Sequence, residues 1–80
     1  MKFILREKAY ELSKEQVESK MRNIKPEVAR KYFVRVNGVA YPIKQVLSIV
    51  TGANRIEFTS MDAASILRRL GFELKNMGFK

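Results

Sequence analysis

The chain contains no cysteine and no histidine. Together these absences remove disulfides, Cys/His zinc sites, thiol nucleophiles and imidazole acid–base chemistry. Acids are scarce as well, eight against sixteen Lys and Arg. Most of them stand in lysine-rich, helix-like surroundings, where a solvated ion pair is the ordinary role of a carboxylate. No nucleophile–base pair can be assembled from the remainder, so the expectation is a non-enzyme with no cofactor and no metal. Long apolar runs are missing too. The opening "MKFILREK" offers three apolar residues in a row, whereas a secretory signal needs about 7–15 and a membrane span about 20. A cytoplasmic protein with no membrane partner is expected.

What is present is a small, strongly basic domain. The 80 residues form one unit, 1–80, without repeats, low-complexity segments or a dividing linker. A chain of this size buries only roughly 60% of its unfolded surface, so nearly every large apolar side chain is needed for the core. With 46% hydrophobic and 30% charged residues the composition is globular. Residues 75–80 are expected to be a flexible tail. The net charge of +8 and the pI near 10.1 draw the domain to polyanions, the first mark of a nucleic-acid binder.

Along the chain, Met1–Leu5 reads as a short strand with Phe3 and Leu5 on one face. Ser13 and Gln16 form a capping box, and Val17, Met21 and Ile24 follow as one apolar helical stripe that Pro26 ends. In "KYFVRVNGVAYPIK" the alternation and the Asn37-Gly38 turn predict a hairpin, with Val36 opposite Val39 and Val34 opposite Tyr41. Pro42 opens a helix whose Ile43, Val46, Leu47 and Val50 face inward, with Lys44, Gln45 and Ser48 facing away and Gly52 ending it. Ile56 and Phe58 anchor the next loop. Thr59 or Ser60 then caps a helix with Ala63, Leu67 and Leu70 on one face and Gly71 at its end. "FEL" reads as a last strand, pairing with the N-terminal one. The class is α+β, strand–helix–β-hairpin–helix–helix–strand, a winged-helix/HTH-like variant in a small single domain.

Candidate contacts are the cations and polar residues that this layout leaves outside. A recognition helix offers its N-terminal half to base edges. On the helix 60–70, Ser60, Met61 and Ser65 would then approach bases and Arg68 and Arg69 would meet phosphates. Two cations in a last helical turn also complement the helix dipole with no ligand at all, so both roles stay open for them. Lys44 stands in a first helical turn, where the dipole disfavours it and a phosphate would reverse that sign. Gln45 is its neighbour and a candidate reader of bases, and Arg55 in the loop is a candidate phosphate clamp. Lys31 and Arg35 belong to the basic stretch that approaches and enters the hairpin. Tyr32 and Tyr41 fall on its apolar face and read as core, and Phe33 falls on the other.

The run from Tyr32 to Leu74, above all "YPIKQ" and "ILRRLGF", resembles the small N-terminal head module of HNH endonucleases that restrict modified DNA, and related stand-alone bacterial or phage modules. Tyr41, Pro42, Lys44, Gly52, Phe58, Leu70, Gly71 and Phe72 carry the likeness. It implies an accessory, DNA-associated module, and without histidine it implies no nuclease activity. The expected function is therefore a non-enzymatic DNA-binding regulator or targeting subunit that contacts duplex phosphates through helices 42–51 and 60–70 and the hairpin. Its candidate nucleic-acid-binding residues are Lys31, Arg35, Lys44, Gln45, Arg55, Ser65, Arg68 and Arg69. DNA is the expected partner. RNA bound on the sheet, an acidic protein bound by an adaptor or inhibitor module, and a homodimer stay open.

Overall fold

A computed structural model of the chain describes residues 1–28 and 32–76. Strands β1 (Lys2–Leu5) and β2 (Lys8–Glu11) form an antiparallel hairpin in which Phe3 faces and stacks on Tyr10. Its two-residue turn holds Arg6 and Glu7 at φ of 50° and 67°, a conformation that Asn-Gly usually supplies. Neither residue announces such a turn, which is why β2 was not visible in the sequence. The capping box forms as expected, Ser13 N–H donating to Gln16 Oε1 at 2.8 Å and Gln16 N–H to Ser13 Oγ at 3.1 Å. It starts α1 (Lys14–Lys20). This helix stops well before the expected limit at Pro26, and Asn23 follows it at a φ of 64°.

β3 (Tyr32–Val36) and β4 (Val39–Pro42) pair in the expected register, Val34 with Tyr41 and Val36 with Val39. β5 (Leu74–Asn76) adds to the other edge of β3, Val34 with Leu74 and Phe33 with Lys75. The expected pairing of the last strand with β1 does not occur, because β1 has its partner in β2. Lys75 and Asn76, expected in the tail, are part of this strand, and residues 77–80 of that tail lie outside the described residues.

α2 (Ile43–Thr51) follows Pro42 directly and ends at Gly52, whose φ is 78°. A 3₁₀ turn (Arg55–Glu57) leads to α3 (Ser60–Arg69), so the helix pair of an HTH-like layout is present with an irregular connection from Gly52 to Thr59. α2 is the centre of the packing. It touches α1, α3, β3 and β4, and its Ile43, Val46, Leu47 and Val50 share one core with Val17 and Met21, Val34, Val36 and Tyr41, and Ala63, Ile66 and Leu67. Phe58 is an anchor as expected. Ile56 is not: the 3₁₀ turn leaves it 80% exposed. The α+β class and the expected order of elements hold, with β2 as the addition.

Candidate nucleic-acid interface

The face that α3 presents to solvent is fixed by its two ends. At its start the Asp62 N–H donates to Thr59 Oγ1 at 3.1 Å and the Thr59 N–H to Asp62 Oδ2 at 3.0 Å. At its close the Phe72 N–H reaches the Leu67 carbonyl and the Gly71 N–H the Arg68 carbonyl, a Schellman end made possible by Gly71 at a φ of 104°. With Ala63, Ile66 and Leu67 buried, Ser60, Met61, Ser65, Arg68 and Arg69 are exposed.

Consecutive helical residues point about 100° apart, and here that separates the two arginines. Arg68 lines a groove of about 330 Å³ between α3 and the sheet, with Tyr32, Ser60, Ser65 and Lys75. Arg69 lines a different groove of about 770 Å³ between α3 and the first hairpin, where Lys2, Glu11 and Asp62 also stand. Ser65 borders both. A third groove of about 540 Å³ is lined by Lys44, Gln45, Arg55 and Glu27, and it shares Tyr32 and Ser60 with the Arg68 groove. These two adjoining grooves make one surface that runs from Lys44 past Tyr32 and Ser60 to Arg68 and Lys75.

Lys44 Nζ lies 5.6 Å from the centre of the Phe58 ring. This contact orients the ammonium without cancelling its charge. Arg55 is differently placed. Its guanidinium donates two hydrogen bonds to the Glu27 carboxylate, and this is the only ion pair among the described residues. Those bonds hold the Glu27 carboxyl below its ordinary pKa and raise that of Arg55, with partial burial opposing both shifts. As a phosphate clamp, then, Arg55 has its fork already occupied.

Gln45 does not read bases in this structure. It is 3% exposed and spent on the backbone: its Oε1 accepts from the Glu27 N–H and its Nε2 donates to the Lys25 carbonyl, both at 2.9 Å. The chain between α1 and β3 covers this side of α2, so a polar residue expected to face water is buried beneath a loop. Tyr41 holds the same loop from below, its hydroxyl 2.8 Å from the Ile24 carbonyl and 3.2 Å from that of Met21.

Of the other candidates, Arg35 is exposed opposite Ala40 on the outer face of the sheet, with Phe33 and apart from both adjoining grooves. Lys31 lies outside the described residues. The surface also contains residues that the sequence did not single out. Lys75 borders it from the edge strand because β5 pairs with β3, the one pairing read wrongly, while its place opposite Phe33 sets its side chain toward the outer face with Arg35. Tyr32, read as core beside Tyr41, is 37% exposed at the junction of the grooves, whereas Tyr41 is 2% exposed. A strand's first residue on the apolar face extends past the edge of the core, which alternation alone does not reveal. Among the described residues no helix is long and apolar enough to cross a membrane, and no cluster of acidic residues could hold a metal ion.

No curated protein and no solved structure matches the chain. A family model does: the SCO5918-like model matches residues 1–79, a far longer stretch than the one that resembles endonuclease head modules, and nothing in that match links the two. On that coverage the chain belongs to the SCO5918-like family.

Proposed function

We propose that this protein is a non-enzymatic, duplex-DNA-binding module of the cytoplasm, a regulator or a targeting subunit for another protein. The observation that carries this reading is the run of adjoining grooves in which Lys44 and Arg68 stand with no carboxylate partner on a chain of net charge +8. Cations so arranged neutralise successive phosphates and release their counterions, which makes binding strong at low salt and weak at high salt. Ser60 and Ser65 offer hydroxyls that donate and accept, and Tyr32 lies between the two cationic ends. Arg68 meets a phosphate, and Arg69 serves the adjacent groove.

The test is fluorescence anisotropy of labelled duplex DNA, single-stranded DNA and RNA at about 50 and 200 mM salt. Tightest binding to the duplex, with a steep loss between the two conditions, supports the reading. Binding that is flat across them, or no binding at the lower one, removes it, and preference for single strands replaces duplex with RNA-type recognition. A protein-interaction reading has one observation in its favour: Met61 and Val28, 80% and 86% exposed, line these same grooves. On that reading Met61→Ser leaves duplex affinity unchanged and the Met61 methyl resonance does not move when duplex is added.

A further inference from the structure

The segment between α1 and β3 is held by two hooks from below, the Tyr41 hydroxyl on Met21 and Ile24 and the Gln45 amide on Lys25 and Glu27. The second hook grips the backbone on both sides of Pro26. It therefore sets where the Glu27 side chain leaves the loop, and that side chain goes to Arg55 in the groove shared with Lys44. Burying a side-chain amide to fix a surface loop is costly unless both ends are bonded, and here both are. Every other described Lys and Arg lacks a carboxylate partner, yet in the proposed interface one acid is held on one arginine.

We infer that Glu27 is a built-in phosphate mimic: it occupies the Arg55 fork in the free protein, and a DNA phosphate displaces it, making Arg55 with Lys44 a latent phosphate subsite. This rests on the DNA-binding reading above. The chemistry of the exchange is matched, since a carboxylate and a phosphate both take a guanidinium through two parallel N–H···O bonds. The pair is also open to exchange, its two side chains being 43% and 49% exposed, so water and ligand reach it from the groove. The effect of the contact is to remove one cation from the interface until a phosphate arrives in register. A polyanion that does not reach Arg55 meets the Glu27 charge instead.

The experiment measures duplex affinity by anisotropy across a salt series for the wild type, Glu27→Gln, and Glu15→Gln, which makes the same charge change on α1 outside the groove. E27Q is expected to bind about threefold to tenfold tighter at low salt, because the phosphate no longer has to displace a carboxylate from Arg55. In the E27Q background, Arg55→Gln removes the gain, whereas Lys20→Gln, with the same net charge, keeps most of it. In the wild type, the Arg55 Nε–H resonance shifts when duplex is added, a readout that needs no substitution. E27Q no tighter than wild type, a gain equal to that of E15Q, or an Arg55 resonance that stays still overturns the inference while leaving wild-type binding intact. Absence of duplex binding by both the wild type and E27Q at low salt instead removes the DNA reading, and the inference falls with it.

Discussion

Replacing Gln45 by Ala separates a structural from a base-reading role for this side chain. The substitution deletes two hydrogen bonds at 2.9 Å, one to the Glu27 N–H and one to the Lys25 carbonyl, from a residue 3% exposed. Each such bond contributes about 0.5–1.5 kcal/mol net. The truncation also removes packed atoms above α2, so the summed cost is about 2–3 kcal/mol. A domain of this size loses about 4–8 °C of Tm per kcal/mol, which places the expected fall at roughly 10–20 °C. Thermal melting followed by circular dichroism gives that number, and hydrogen exchange at the Glu27 amide gives its location. The Glu27 amide should lose protection more than any amide of α3. A Tm within about 2 °C of wild type, with the Glu27 amide still protected, refutes the reasoning, because the amide would then not be what holds the loop.

Other expectations can be checked with the same material. Tyr41→Phe leaves the Ile24 carbonyl without its hydroxyl donor, while the Met21 carbonyl keeps the Ile24 N–H, and should cost about 1–2 kcal/mol by denaturant titration, with an unchanged m-value. The Glu27–Arg55 pair, half exposed, is worth at most about 1 kcal/mol. Because the native carboxyl titrates below its unfolded value of about 4.3, that stability is fully present above the unfolded value and lost as pH falls through the native one. Melts of wild type and E27Q should therefore differ by a few degrees at neutral pH and converge in acid; a gap that persists at low pH contradicts the assignment. Arg68→Gln should weaken duplex binding about fivefold at low salt, and Arg35→Gln, on the outer sheet face, less than twofold. Equal losses would mean that general charge, not the groove, does the binding.

Where the sequence carried a local chemical signal, the element was legible. Asn37-Gly38 set the register of β3 and β4 to the residue, and the Ser13–Gln16 box marked the start of α1. The α2 core positions followed from their period, as did Ala63 and Leu67 on α3, where Ile66 and not Leu70 completes the buried face, with Thr59 and Gly71 as end signals. What failed depended on tertiary context. The Arg6–Glu7 turn has a positive-φ geometry without the residues that advertise it, so β2 was missed, and with β1 taken as unpaired the last strand was given the wrong neighbour. That single error also hid Lys75. Gln45 occupies a helix position that periodicity assigns to solvent, and only the fold of the loop after α1 turns it into a buried bracket. The Arg68–Arg69 dipeptide read as one site, but two grooves divide it.

The most direct measurement is the salt dependence of duplex binding for the wild type and for a Lys44→Gln/Arg68→Gln variant. If these two side chains each neutralise a phosphate, the slope of log K against log salt should become shallower by about 1.8, at roughly 0.9 per contact, while the melting temperature stays near that of the wild type. A variant that stays folded and keeps the wild-type slope would contradict the account.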